Sequence, residues 1–315
     1  MKFKLFIMLL SAITALLTAS IAHATGTYIA LGDSITTGYG LSPENPGFAE
    51  IIATQTGYTL KNYAKNGATS DDVLALLKSG EIDEDIKSAK LITLTCGGND
   101  MMHTLYNEIT NSYRESTGLS IDSSSILKML EESDGVMLMT TISVLTGDGE
   151  IPFNDSSAFL NTLSAYEENL KEILTYIKNL NPEARVVIAT QYNPYKNATG
   201  IFTEIGRIFN LGVKKLNTVI RDIGKNADVD VRDVYESFEN SSDNLCNADF
   251  ESLNLDIHPN AAGHKVIAET IMGTKITEVS QTQKAEPTVT KKQKTFGSDT
   301  IIKSAITSAF LLMSI

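Results

Sequence analysis

The sequence predicts an α/β fold with a central parallel sheet covered by helices on both faces. Hydrophobic runs of strand length alternate with longer amphipathic segments between Thr27 and Met272. Alternating units of this size bury a parallel sheet between two helical layers. The runs that predict strands lie at 28–31, 58–63, 91–95, 185–190 and 228–231.

Helices are predicted where apolar residues recur every three or four positions. The clearest case is the segment 202–224, in which Phe209, Leu216 and Ile223 share one face. Pro182 follows another such segment, as expected just beyond a helix end. The predicted helices lie at 47–56, 70–78, 158–180, 202–224 and 261–271.

A stretch at about 101–155 interrupts the alternation and predicts a helical insertion. Two short helices are expected in it, around 124–132 and 135–145. Methionine side chains in such an insertion suit a lid or an acyl-chain groove, and a helical pair packed as a satellite cluster is the structural alternative. The methionines concerned are Met129, Met137 and Met139.

Both ends of the chain are predicted to lie outside the main domain, which spans 25–274. Residues 1–24 combine lysines, a short apolar run and a small-residue cleavage site, the pattern of a secretory signal peptide. The polar stretch 275–299 predicts a linker. The apolar tail 300–315 resembles a GPI-attachment signal, while direct membrane association and a plain C-terminal helix stay open. We expect a protein that is secreted or held at the extracellular surface.

The composition excludes some classes of partner. The 315 residues are 42% hydrophobic and 20% charged, as in an ordinary globular protein, and the net charge is −12. Nucleic acid needs a basic surface, so we expect no nucleic-acid partner, and nothing attracts this chain to anionic membranes. The sequence has neither zinc-ligand spacing nor a glycine-rich phosphate loop, so we expect no metal and no cofactor.

Two cysteines, Cys96 and Cys246, remain after the predicted signal peptide is removed. Export permits a disulfide between them, and two buried thiols are the alternative. Three sequons would matter only in a host that glycosylates its proteins. They begin at Asn154, Asn197 and Asn240.

Four segments carry residues suited to acyl transfer. Ser34 follows the first strand in "YIALGDSITTGYG", Gly67 follows the second, and Asn99 follows the third in "CGGND". His258 precedes the last helix in "DIHPNAAGH". The carboxyl ends of parallel strands share one sheet edge, so a nucleophile, a base and amide donors should meet there. Each residue also has an ordinary explanation as a helix cap, a turn or a loop residue.

These segments resemble the sequence blocks of the GDSL, or SGNH, hydrolases. The matching stretches "ALGDSIT", "NGATSDD", "GGND" and "HPNAAGH" occur in the family's order over about residues 27–272. The resemblance is greatest to the lysophospholipase-like, secreted bacterial branch, and it implies a flavodoxin-like three-layer α/β/α sandwich. It also implies Ser34 as nucleophile and His258 as general base. The implied oxyanion hole consists of the Ser34 and Gly67 backbone N–H groups and the Asn99 side-chain amide.

The acid that orients the base departs from the family pattern. The family places an aspartate three residues before the histidine, where this chain has Leu255, whereas Asp256 lies two before. A one-residue shift in an extended segment turns a side chain toward the other face. We predict Asp256 as the orienting acid and keep Asp249 and Glu251 as alternatives.

Four further polar residues are weaker candidates for a catalytic role. His103 and His264 are poorer bases than His258, because one lies past the asparagine block and the other inside the last helix. Asp33 and Asp100 are expected to brace turns rather than to take part in chemistry.

The leading hypothesis is a serine esterase or lipase that hydrolyses acyl esters, lipid or lysophospholipid esters above all, through an acyl-enzyme intermediate. A carbohydrate O-deacetylase of the same fold is a second hypothesis. A non-catalytic surface-binding module is a third, which the intact Ser34, Asn99 and His258 oppose.

Overall fold

The computed structural model describes residues 26–276, except positions 133, 201 and 253. The signal peptide predicted at 1–24 and the apolar tail at 300–315 lie outside the described residues, as does nearly all of the linker at 275–299. Within the described part of the chain, none of the helices has the length and apolar character needed to cross a membrane.

Five parallel strands pair in the order β2-β1-β3-β4-β5. With helices on both of its faces, this sheet confirms the predicted α/β/α sandwich. The predicted strands are all found, with bounds shifted by at most a few residues. They are β1 (Thr27–Gly32), β2 (Thr59–Asn62), β3 (Ala89–Thr95), β4 (Arg185–Ala189) and β5 (Asp230–Arg232).

Helices fill the connections between these strands, and each of the five predicted helical segments is present. In chain order the helices are α1 (Ser34–Thr37), α2 (Phe48–Thr56), α3 (Ser70–Lys78), α4 (Asp83–Ser88), α5 (Gly98–Thr117), α6 (Ser125–Glu131), α7 (Gly135–Thr146), α8 (Ser157–Leu180), α9 (Phe202–Asn226), α10 (Val234–Glu239) and α11 (Ala261–Met272).

Successive residues of β1 pack into two different cores. Ile29 and Leu31 face α3, α4, α5, α8 and α9, whereas Tyr28 and Ala30 face α2, α10 and α11. All four are fully buried. A central strand covered on both faces has no solvent side, which is why it reads as one continuous hydrophobic run. Burial of each large side chain of this kind contributes about 1.5–3 kcal/mol.

The insertion contains one helix that the sequence pattern did not predict. α5 buries Met101, Leu105 and Ile109, which follow a helical spacing. The polar and β-branched residues between them have low helix propensity and mask that spacing in the sequence. The two short helices predicted here are found as α6 and α7.

The insertion packs as part of the main core. Ile126 of α6 and both Met137 and Leu145 of α7 belong to the same buried cluster as Ile92 of β3. The structure therefore does not place these helices in a separate satellite cluster. They form one wall of the domain beside α5 and α9.

Both cysteine thiols are free and buried. Burial raises the pKa of the Cys246 thiol to about 12, and it raises the pKa of the Cys96 thiol well above its usual value. The structure thus has two buried thiols in place of the disulfide that export would permit.

The end of β1 requires a glycine. Gly32 has a φ of +136°, and a Cβ atom there would lie 2.1 Å from the Thr95 carbonyl oxygen at the end of β3. No L side chain is accommodated in such a contact without movement of the backbone. Gly32 thereby lets the ends of the two central strands approach each other, directly before Ser34.

Replacing this glycine should destabilise the domain. Gly32→Ala adds a backbone clash to the strain of a positive φ, so we expect the free energy of unfolding to fall by about 3 kcal/mol or more. Gly118→Ala is the control, because Gly118 also has a positive φ but has no atom within 4 Å of the position that an alanine methyl would take. It should cost only about 1–2 kcal/mol. Urea denaturation measures both, and equal losses would contradict the role of the Thr95 contact.

Candidate active site

Ser34 lies at the start of α1, where the chain leaves the carboxyl end of β1. In this strand order the connections reverse direction between β1 and β3, which opens a crevice at the sheet edge. The Asp33 carboxylate caps the turn by accepting from the Ile35 backbone N–H at 3.0 Å and from Thr95 Oγ1 at 3.2 Å. Because Thr95 ends β3, the second bond ties the two sides of the crevice together.

Asp33 stabilises the turn after β1, which is the role expected from the sequence. It is 2% exposed, and this burial raises its pKa to about 6 although the hydrogen bonds from Ile35 and Thr95 act in the opposite direction. Its carboxylate is occupied by the turn and by β3. These hydrogen bonds fix the turn that carries Ser34.

The structure brings His258 to Ser34. The imidazole Nε2 lies 2.9 Å from Ser34 Oγ, across 224 positions of sequence. The loop that carries His258 is fixed by its backbone: the Asn247 N–H donates to the His258 carbonyl at 2.8 Å, and the Tyr192 hydroxyl donates to the Ile257 carbonyl at 2.9 Å. The histidine is thus held by contacts that do not involve its ring.

Asp256 reaches the other side of the same imidazole. Its Oδ1 lies 2.5 Å from His258 Nδ1 and also accepts from the His258 backbone N–H at 3.1 Å. A carboxylate bonded to the backbone two residues ahead forms an Asx turn, which folds the segment back on itself. Through this turn an aspartate two residues before the histidine makes the contact for which the family uses one three before.

The surroundings of Asp256 keep it ionised. Partial burial favours the protonated acid, but the hydrogen bonds from the ring and backbone of His258 outweigh it, so the pKa of Asp256 is lowered. Its Oδ2 accepts a further bond from Asn247 Nδ2 at 3.0 Å. A carboxylate in this state can hold the imidazole in one tautomer and stabilise its protonated form.

The alternative acids are directed elsewhere. Asp249 is exposed and accepts from Ser252 Oγ at 2.6 Å and from the Glu251 backbone N–H at 3.1 Å. Glu251 is also exposed. Neither carboxylate has a hydrogen bond to His258 among the described residues.

The other two histidines of the described residues, His103 and His264, have no hydrogen bond to Ser34. His103 is on the exposed side of α5. His264 is fully buried, and its Nδ1 accepts from the Phe48 backbone N–H at 3.2 Å. Burial, with a smaller effect of the nearby His258, lowers the pKa of His264 to about 4, so it packs as a neutral ring. Across residues 26–276, gaps aside, no three His, Cys, Asp or Glu side chains are arranged to hold a metal ion.

The predicted donor Asn99 is hydrogen-bonded to the loop that contains Gly67. Asn99 Nδ2 donates to the Ala68 carbonyl at 3.0 Å, which sets the amide beside the loop of Gly67. That loop is joined to α1 by a 2.5 Å bond from Thr37 Oγ1 to Asn66 Oδ1. One N–H of the Asn99 amide is therefore used for positioning.

The two predicted backbone donors are also available. Gly67 has a φ of +77°, and no atom lies within 4 Å of a Cβ placed on it, so the backbone conformation and not the lack of space calls for glycine. In the described part of the chain, neither the Ser34 N–H nor the Gly67 N–H takes part in a backbone hydrogen bond of the turns and caps.

Asp100 fixes the start of α3, which follows the loop of Gly67. Its Oδ1 accepts from Ser70 Oγ at 2.5 Å and its Oδ2 from the Ser70 backbone N–H at 3.0 Å, at the start of α3. Asn169 of α8 donates to the same Ser70 hydroxyl at 3.0 Å. Burial raises the pKa of Asp100 despite these bonds. The contacts agree with the structural role expected for Asp100.

An apolar cavity opens beside Ser34 and Asn99. Its empty space of about 830 Å³ includes the open solvent at its mouth. About half of its lining residues belong to α5 and α9, Leu145 of α7 contributes one more, and Phe153 and Phe159 also line it. Asn154, which begins one of the three sequons, lies in this wall and is 3% exposed.

Sequence reasoning missed two residues at the site. Asn247 holds both the Asp256 carboxylate and the His258 backbone. Tyr39 places its ring 4.7 Å from the imidazole of His258, measured between ring centres. Tyr39 lies in the stretch that contains Ser34, so its proximity was a fair inference. Asn247 lies in an irregular loop with no periodicity, where no local signal could have identified it.

Comparison with known proteins identifies the family. The sequence model of the GDSL-like lipase/acylhydrolase family matches residues 30–266, a range that contains Ser34, Gly67, Asn99 and His258. The chain belongs to this family. As a GDSL-like protein, it is a hydrolase that acts on acyl esters.

Two curated relatives are similar to this GDSL-like chain. The uncharacterised protein YpmR of Bacillus subtilis strain 168 is 25% identical over 293 residues, which cover 86% of this chain and 95% of that protein. The spore germination lipase LipC of Bacillus licheniformis is 36% identical over 84 residues, which cover 25% of this chain and 40% of that protein.

Solved structures share the fold. The lipase Lip_vut3 from a goat rumen metagenome is 20% identical, with a TM-score of 0.53 over 78% of this chain and 96% of that one. Phospholipase A1 from Streptomyces albidoflavus NA297 is 21% identical, with a TM-score of 0.52 over 78% of this chain and all (100%) of that one.

Proposed function

We propose that this protein is a serine esterase that hydrolyses carboxylic esters of lipids or lysophospholipids. The observation that carries the proposal is the hydrogen-bonded series from Asp256 through His258 to Ser34, which ends at the mouth of an apolar cavity. A hydroxyl, a base and an orienting acid in this order are the parts that acyl transfer needs.

The reaction begins with attack of Ser34 Oγ on the ester carbonyl carbon. His258 Nε2 takes the hydroxyl proton as the new C–O bond forms. The carbonyl oxygen becomes an oxyanion, which accepts hydrogen bonds from the Ser34 and Gly67 backbone N–H groups and from Asn99 Nδ2. Each such donor typically stabilises the transition state by about 3–4 kcal/mol.

The intermediate then collapses and expels the alcohol, which takes the proton back from His258. Water attacks the resulting acyl-enzyme, with His258 again as base, and its collapse releases the carboxylic acid and restores Ser34. Asp256 remains ionised throughout and stabilises the imidazolium that forms in each half-reaction.

The cavity favours a fatty-acyl group over an acetyl group. Its wall is mostly aliphatic and aromatic, and burial of a hydrocarbon chain there is favourable by about 0.8 kcal/mol for each methylene. An acetyl group would bury little of this apolar wall. This weighs against the carbohydrate O-deacetylase hypothesis, and the complete hydrogen-bonded series weighs against a non-catalytic binding module.

A fluorophosphonate probe tests the nucleophile. The probe should label the wild-type protein and Ser42→Ala equally, because Ser42 is an exposed serine near the same turn. It should not label Ser34→Ala, which lacks the activated hydroxyl. In-gel fluorescence measures all three. Labelling of Ser34→Ala at the wild-type level would contradict the assignment.

Exchange of the orienting acid should cost most of the activity. Asp256→Asn removes the charge that stabilises the imidazolium and permits the wrong tautomer, so kcat on a p-nitrophenyl ester should fall by about 10⁴-fold. The matched control Asp249→Asn alters an exposed turn in the same loop and should stay near wild type. If the two results were reversed, Asp249 would be the orienting acid.

The pH dependence should follow the base. We expect kcat/KM to rise with pH, because only a neutral imidazole accepts the serine proton. Asp256 has a lowered pKa and ionises below its usual range. Asp33, with a pKa of about 6, also loses its proton as the pH rises, so the profile must also be measured in Asp33→Asn. A profile that becomes flat in that variant would assign the titration to Asp33.

A further inference from the structure

A second apolar cavity adjoins the one beside Ser34. Its empty space of about 510 Å³ includes open solvent, and it lies among α5, α6, α7 and α9. We call the cavity beside Ser34 the proximal chamber and this one the distal chamber. The distal chamber has Leu130 of α6 and Leu138 of α7 in its wall, and neither residue lines the proximal chamber.

Four side chains border both chambers and form the partition between them. All four side chains are apolar, and methionine in particular is flexible and adapts its shape to its surroundings. The partition is therefore apolar throughout. It consists of Met102 and Leu105 of α5, Leu145 of α7 and Phe209 of α9.

The chemistry of the distal chamber suits hydrocarbon. Among the described residues, no charged side chain lines it. Two of its polar groups are already bonded, since Thr141 Oγ1 lies 3.8 Å from Met137 Sδ and the Tyr195 hydroxyl donates to the Leu255 carbonyl at 3.1 Å. Burial raises the pKa of Tyr106, another lining residue, to about 12. A chamber with so few free polar groups binds water poorly and accepts apolar atoms.

We propose that the distal chamber receives the far end of a long acyl chain whose carbonyl lies at Ser34. This inference rests on the proposed esterase function and adds the chain length of its substrate. The partition residues line both chambers, so a chain that enters beside Ser34 and fills the proximal chamber comes into contact with them. Displacement of these side chains joins the two chambers into one channel.

The insertion supplies part of this channel. α6 and α7 contribute Leu130 and Leu138 to the distal chamber and Leu145 to the partition, whereas Phe209 of the partition comes from α9. Leu130 and Leu138 can therefore be replaced without changing a residue assigned to the chemistry.

The test is the chain-length profile of variants that fill the distal chamber. Leu138→Trp and Leu130→Trp place an indole in it, and we expect each to lower kcat/KM for p-nitrophenyl palmitate relative to the octanoate by at least about tenfold. Both esters are presented in the same mixed micelles. Leu160→Trp is the matched control, because Leu160 is 44% exposed on α8 and lines neither chamber. Its profile should equal that of wild type.

Thr141→Met provides a milder filling should either tryptophan prevent folding, and the palmitate to octanoate ratio should fall in it as well. If the variants that fill the distal chamber fold but keep the wild-type palmitate to octanoate ratio, the inference is overturned. It is also overturned if the wild-type protein cleaves octanoate but not palmitate. In both cases octanoate hydrolysis would leave the proposed function intact. A wild-type protein that cleaves no ester of any length would instead refute the proposed function, and the role proposed for the distal chamber would be refuted with it.

Discussion

The hydrogen bond between Ser34 and His258 is the contact on which the site depends. It joins the turn after the first strand to the loop before the last helix, and a separate set of contacts holds each of the two residues in position. On one side, Gly32 and the Asp33–Thr95 bond fix the turn after β1. On the other side, the loop of His258 is fixed by hydrogen bonds to its backbone, which do not involve the imidazole ring. A nucleophile and base held in this way need little reorganisation to react.

Strand ends and helix interiors have different tasks in this domain. The candidate catalytic residues follow the ends of β1, β2 and β3 or lie in the loop before α11. The apolar wall of the cavity comes largely from the helices α5 and α9. Wall residues can therefore differ between proteins of one fold while the residues at the strand ends stay the same.

The sequence predicted the sheet well because a doubly covered strand such as β1 must be hydrophobic throughout. It predicted that Ser34 and His258 meet, and that Asn99 lies beside the loop of Gly67, because these segments were expected at one edge of the sheet. It could not decide how Asp256 makes its contact, since that depends on an Asx turn whose geometry is tertiary. It also missed α5, whose apolar face is interrupted by polar residues, and Asn247, which acts through a loop of irregular shape.

The separation of 224 positions between serine and histidine has a consequence for biosynthesis. A ribosome that has translated the sheet and most of the helices has produced the nucleophile and its amide donors, but not yet the base. The hydrogen bond between Ser34 and His258 therefore cannot form until the loop before α11 has been translated. Any chemistry that needs both side chains starts only after that point of synthesis.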